Sequence, residues 1–274
     1  MNRRFGFKPE TVLLAITLVV LLYFCLNPFL QLFQKVFFSG VESQFSIQPL
    51  IDAFAVSSTW LAVRNTLLVS SCAAVCALLI AVPLAWVVAR AQIKGAKRFR
   101  TLFSLPFAIP PYIGAIAWIF LANPSTGLLN RMLQPLIGEG ALNVYSFVGL
   151  VFVETSFLYA LVFVMVVSTL ERMDSSLEEA ARLSGASPRR VFLDINLPLM
   201  RPVLLSAFVL VFLAAAASFG VPALIGGPAR IFLLTTQIYT FQKLGSASGL
   251  LRAGALSSVL FIFALVGMSV ATYF

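Results

Sequence analysis

Six stretches of about twenty residues run through this chain almost without charge, the length an α-helix needs to cross a bilayer core. They fall at residues 11–33, 66–89, 101–122, 144–170, 203–225 and 253–274. Every backbone polar group inside lipid has to be satisfied internally, and helices do this within one segment. The expected fold is therefore all-α and polytopic, with about six transmembrane helices. The first stretch is too long for a signal-peptide core and no small-residue cleavage site follows it, so it too is read as a span. Sixty per cent of the 274 residues are hydrophobic and 11% are charged, with a mean hydropathy of +0.99.

The net charge of +9 follows topology, and no nucleic-acid partner is expected from it. With a cytoplasmic N-terminus, the inner segments are 1–10, 90–100 and 171–202. They hold three, five and five of the 19 Lys and Arg residues, and the outer loops hold the remaining six. The excess of cations marks the cytoplasmic side. Lys94, Lys97, Arg98 and Arg100 serve as that signal, with anionic headgroups as a second use. The loop at 34–65 is interrupted by Ser39, Gly40 and Pro49; those at 123–143 and 226–252 are read as irregular.

No catalytic constellation is visible. Histidine is absent, and nothing resembles the GxxxxGK[ST] phosphate loop, so any ATP is bound by another chain. No metal site or bound cofactor is expected. Cys72 and Cys76 share a helix face, where they read as small packing residues rather than a redox pair. Glu154 is the one carboxylate within a span, where a charge costs about 2.5–3.5 kcal/mol on insertion scales. It either lines a cation pathway, bonds Thr155, Ser156 or a neighbouring helix, or lies near the outer interface. Pro106, Pro110 and Pro111 bend the third span. Ser218, Phe219, Gly220, Val221 and Pro222 break the fifth, while Gly114, Gly220 and the alanines at 214–217 permit close helix approach.

The long polar island at 171–202 has its own grammar. Ser175 or Ser176, with Glu178 or Glu179 three positions on, suits a capping box. Ala180, Ala181 and Leu183 give a short helix a small apolar face, and Gly185 sits where a left-handed C-terminal residue belongs. Ser187 and Pro188 start a second short helix. Val191, Phe192 and Ile195 stripe that helix, and Leu197-Pro198 ends it. On grammar alone the island is equally a plain connecting loop.

Glu179-Ala180-Ala181, then Gly185 after three residues, then Ile195-Asn196-Leu197-Pro198 after nine, reproduce the EAA signature. The chain thereby resembles the permease subunits of bacterial ABC importers, over roughly residues 60–274. The resemblance implies that 171–202 is a cytoplasmic coupling loop, with Glu179, Ala180, Ala181, Gly185, Ile195, Leu197 and Pro198 docking on the ATPase. It also implies a permease core at 60–274 preceded by a first span and periplasmic loop at 1–59. The implied partners are two ATPase subunits carrying ATP and magnesium, a second permease half, fused or separate, and a periplasmic substrate-binding protein. The implied location is the bacterial inner membrane, with the permease itself not catalytic. Arg182, Arg189 and Arg190 are available for pairing with the partner.

Pro106 to Pro110 with Ala117-Trp118, Ser218 to Gly226, and Leu234 to Tyr239 look like permeases of the iron(III) importer group. Thiamine, polyamine and aminoalkylphosphonate permeases look similar in the same places. On this reading Glu154, Pro110, Phe219 and Gly220 belong to the translocation path. The sixth span ends at Phe274 with no cationic flank, which suits the N-terminal half of a fused two-half permease, a shortened chain or a natural terminus. Three rivals remain: a secondary transporter, which would need more ionisable groups within spans than Glu154; a membrane enzyme, which would need a catalytic cluster; and a membrane scaffold.

Overall fold

The computed structural model describes residues 9–38, 44–91 and 94–273. Arg3, Arg4 and Lys8 of the charge argument, Ser39, Gly40 and Glu42 of the first loop, and Phe274 lie outside the described residues.

The helices in chain order are α1 (Pro9–Phe37), α2 (Gln48–Phe54), α3 (Ser57–Arg90), α4 (Ala96–Ser104), α5 (Pro111–Ala122), α6 (Leu128–Ile137) and α7 (Phe147–Arg172). Then come α8 (Ser176–Leu183), α9 (Pro188–Val191), α10 (Leu197–Leu199), α11 (Arg201–Ala217), α12 (Leu234–Lys243) and α13 (Ala247–Tyr273). No strand occurs among the described residues. Four helices are long and apolar enough to cross a membrane unaided: α1, α3, α7 and α13. Two bent helix pairs, residues 96–108 with α5 at 95° and 188–199 with α11 at 69°, bring the candidate spans to six if each pair counts as one broken span. The polytopic all-α fold is thus as the apolar runs predicted, with two of the six candidate spans broken.

Three stretches expected as irregular loops carry helices. Pro49, read as an interruption, stands in the first turn of α2, where its missing N–H costs nothing. The Asn-, Pro- and Gly-rich loop at 123–143 contains α6, with Pro135 near its end. Residues 226–252 contain α12 and the first turns of α13, which begins at Ala247 rather than 253. The earlier start follows from Ser246, whose hydroxyl accepts the Gly249 N–H at 3.1 Å as a cap does.

By contacts, the described residues form two compact units: those of 57–237 with 260–273, and those of 9–56 with 238–259. In the smaller unit, Ala53, Phe241, Ala253 and Leu256 form one core, and Val36, Phe37 and Ala255 another. Gly254 lies so close to the Val36 side chain that a β-carbon would overlap it. From Thr11 to Leu26 α1 is apolar and exposed, as suits a helix bathed by lipid.

The larger unit is built on α3, α7 and α11. Helix α3 buries Ala62, Thr66, Val69, Ala73, Ala77, Ala81, Ala85 and Val88, a stripe of mostly small residues three or four apart. Lipid tails are as apolar as leucine, so helices there associate through close van der Waals packing, which small side chains permit. Val162, Phe163, Val166 and Leu170 of α7, with Ala207 and Val211 of α11, complete that core. Cys72 and Cys76 lie half-buried against a second core of the same unit, which includes Val69, Ala115, Leu150 and Ile225, both as free thiols.

Candidate functional site

The polar island folds as a ledge of two short helices. Helix α8 ends in a Schellman turn: the Ala186 N–H donates to the Ala181 carbonyl at 3.0 Å and the Gly185 N–H to the Arg182 carbonyl at 2.9 Å. Gly185 has φ +85° with nothing within 4 Å of where a β-carbon would stand. The backbone's hand, rather than lack of space, therefore selects glycine. Ser187 then caps α9, its hydroxyl accepting the Arg190 N–H at 3.4 Å, with Pro188 in the first turn.

Two details of the expected grammar are corrected. The capping box does not form. Ser175 donates instead to the Glu179 carboxylate at 3.0 Å, and the first turn of α8 is held by Asp174, which accepts from the Ser176 N–H at 3.0 Å and its hydroxyl at 2.9 Å. Those bonds hold the Asp174 carboxyl below its ordinary 3.8. The charged cap therefore persists at neutral pH and is lost only as pH falls through that depressed value. Second, Leu197-Pro198 does not end the helix. A π-turn at Phe192–Asn196 leads into Leu197–Leu199, and the bend falls at Met200. The wide turn admits Pro198 because its missing donor falls where the regular ladder is already interrupted.

The two adjacent glutamates part company. Glu179 is exposed, as are Ala180, Leu177 at 55% and Leu183 at 90%. Glu178 is 3% exposed and turned inward. Its Oε1 accepts from Arg90 Nε at 2.8 Å and from Asn196 Nδ2 at 2.9 Å, and Arg182 approaches Oε2 at 4.0 Å. Arg90 also reaches the Met173 carbonyl at 3.5 Å. One turn earlier on α3, Trp86 meets Phe192 edge-on at 5.3 Å. Of the signature residues, Ile195, Leu197 and Pro198 are half-buried and Gly185 is exposed. The sequence signature itself excludes Glu178 and leaves position 196 unspecified, so the sequence offers Glu178 only as a capping-box candidate and assigns Asn196 no role. Arg90 stands 88 positions from Glu178 and was counted only as a topology charge. Arg100 likewise pairs with Glu171 at 2.7 Å. Arg190 of α9 stands 3.9 Å from Asp194 in the π-turn that follows.

The predicted path residues gather where the two broken spans face α7. Between Ala108 and Pro111, Ile109 and Pro110 adopt extended dihedrals, which turns the third span. The fifth opens at Ser218, also extended, before the π-turn at Pro222–Gly226. A β-carbon on Gly220 would stand 2.8 Å from Tyr112 Cβ, and one on Gly114 would overlap the Phe157 ring. Pro110 and Phe219 are exposed, whereas Glu154 is 1% exposed and faces Ser218, its Oε1 without a hydrogen-bond partner among the described residues. The segment after the break is pinned by Asn65, which donates to the Phe232 carbonyl at 3.1 Å. Thr66 beside it accepts the Leu234 N–H at 2.8 Å. Thr235 reaches the Ser218 carbonyl at 2.7 Å. No group of metal-ligating side chains occurs among the described residues.

A polytopic helical protein with broken spans and a two-helix ledge has the architecture of a transporter's membrane subunit. Residues 81–273 match the family described as "Binding-protein-dependent transport system inner membrane component", and the chain belongs to that family. It is a multi-pass permease subunit of a bacterial ABC importer. The sn-glycerol-3-phosphate transport system permease protein UgpA of Yersinia enterocolitica is 30% identical over 258 residues, covering 85% of each chain. That of Salmonella typhimurium is 29% identical over 234 residues, covering 81% of this chain and 75% of its own. A bacterial ABC transporter involved in import of the acidic polysaccharide alginate shares the fold at TM-score 0.73 and 18% identity, over 96% of this chain and 92% of its own. The MetNI methionine ABC transporter shares it at 0.59 and 18%, over 78% and 94%.

Proposed function

We propose that this permease couples ATP hydrolysis by two separate ATPase subunits to import of a solute that a periplasmic binding protein delivers. A second permease half, fused or separate, completes the path. Residues 171–202 face the cytoplasm and form the ATPase-docking surface, with Glu179, Ala180, Ala181 and Gly185 at its centre and Ile195, Leu197 and Pro198 at its root. The observation that carries this reading is that Leu177 and Leu183 on α8, with Leu193 and Leu199 further on, stand exposed among the charged residues of 171–202. Large apolar side chains exposed together on a polar surface mark a contact waiting for a partner. The Schellman turn sets the angle at which α8 is offered, and Glu179 supplies an outward charge. ATP and magnesium belong to the partner, and this chain contributes no catalytic group.

For the cargo, relatives named for sn-glycerol 3-phosphate support a small anionic organic solute as the first reading. The iron(III) cargo implied by the shorter strings has no counterpart in those names. It stays as the second reading because of one observation: the buried carboxylate of Glu154 beside the broken fifth span suits a cation better than a phosphate.

The deciding experiment is uptake into proteoliposomes holding the full transporter and its binding protein, with labelled sn-glycerol 3-phosphate and iron(III) in parallel. ATP-dependent uptake of one and not the other assigns the cargo. Gly185→Val places a β-branched residue in the left-handed region, at a cost of about 1–2 kcal/mol or more. It is expected to reduce uptake about tenfold at unchanged permease levels, and Glu179→Ala to reduce it as well. Undiminished uptake in Gly185→Val would overturn the coupling reading.

A further inference from the structure

We propose that Arg90, Glu178 and Asn196 form a keyed joint that makes α8 move as one body with the inner end of α3 and the root of α11. The inference rests on the coupling reading and names how the docking helix is attached to the spans. Glu178 lies on the face of α8 opposite the exposed one. Its side chain is 4% exposed, and that of its partner Arg90, the last residue of α3, is 14%. Asn196 is fully buried and shares the same carboxylate oxygen at 2.9 Å. It closes the π-turn from which the chain enters α10 and α11. Arg90 of α3 and Asn196 at the root of α11 therefore meet on one oxygen atom of α8.

The chemistry suits a positioning role better than a stabilising one. A buried ion pair gains little net stability, because desolvating both charges offsets their attraction. Breaking it by removing one partner is strongly unfavourable, since the other charge is left buried and alone. Such a pair tolerates one relative placement of its two helices and penalises others. An apolar contact of equal area would tolerate sliding. The guanidinium adds direction, because Nε and Nη2 are held in a rigid fork and here serve Glu178 and the Met173 carbonyl together. Trp86 of α3 also meets Phe192 of the π-turn edge-on, a second contact between α3 and the element that carries Asn196. A displacement applied to α8 is thereby handed to α3 through Arg90 and to α11 through Asn196.

The test places spin labels at Ser184→Cys, the C-cap position of α8 outside its exposed docking set, and at Leu79→Cys on α3, both exposed positions. Cys25, Cys72 and Cys76 are replaced by alanine, and the permease is reconstituted with its ATPase subunits. Pulsed EPR reads the distance without nucleotide and after trapping with ATP and vanadate. With the joint intact the distance is the same in both states. In Glu178→Gln and in Arg90→Lys, α8 follows the ATPase while α3 lags. The distance then shifts with nucleotide by about 2 Å, the scale of helix shifts in switching proteins. ATP hydrolysis continues, because the outward face of α8 is untouched. A contact that merely supports folding would lower the yield of complex without creating this nucleotide dependence. If Glu178→Gln does not accumulate, Arg90→Lys carries the test. A distance that stays independent of nucleotide in the variants, or that already shifts in the parent, overturns the joint. Gly185→Val separates the two claims: normal uptake there defeats the coupling reading, whereas unchanged distances in Glu178→Gln remove the joint alone.

Discussion

Gly114 and Gly185 illustrate two different reasons for a glycine. At Gly185 the backbone is left-handed and surrounded by open space, whereas at Gly114 the helix is regular and a β-carbon would collide with Phe157 of α7. Gly114→Ala is therefore expected to destabilise the protein by about 1–3 kcal/mol, the usual cost of overpacking. Scanning fluorimetry in detergent would detect the loss, and adding Phe157→Ala should return part of it; no recovery would mean the ring is not the obstacle. The left-handed glycine was legible in the sequence because it follows a helix-forming run and precedes a Ser-Pro start. The packing glycine was legible only as permission for close approach, since its partner lies on another span. Glu178 was not legible at all. A local rule, the capping box, competed for it, and a half-buried arginine 88 residues away won. Long-range charge pairing leaves no periodic trace.

Among the elements, apolar run length was enough to find the spans, because lipid demands it of each one independently. It could not give the 95° and 69° bends. Those depend on how Ile109-Pro110 and Met200 are packed, and proline content signals only that a helix is free to turn. The helices inside the loops escaped notice for the opposite reason: Pro49 and Pro135 look like breakers unless their place within a turn is known. The Asn65-Thr66 pair shows what such local signals miss. The structure gives it work at a distance, holding the returning segment by the Phe232 carbonyl and the Leu234 amide. Thr66→Val should leave that buried amide unpaired, at about 1–3 kcal/mol. Hydrogen exchange at Leu234 is expected to speed up while exchange in α7 stays slow; equal protection in both proteins would show that another acceptor takes over.

For the whole molecule, the Arg90–Glu178 and Arg100–Glu171 pairs place 90–100 and 171–202 on the same side, and the charge bias predicts that this side is cytoplasmic. A single cysteine at Leu183 is expected to react with an impermeant maleimide only from the cytoplasmic side, and one at Ser125, exposed before α6, only from the periplasmic side. The reverse pattern would invert the topology. Composition bounded this scale well, since a chain with so little charge has few ways to be placed in a membrane. What it could not supply is the division of labour on α8, where Glu178 faces the spans and Glu179 faces away. That back-to-back arrangement makes the helix modular. The outward set at 177, 179, 180 and 183 is free to be exchanged for that of another importer, retargeting the chain to a foreign motor, while 178 and 196 keep the transmission inside unchanged.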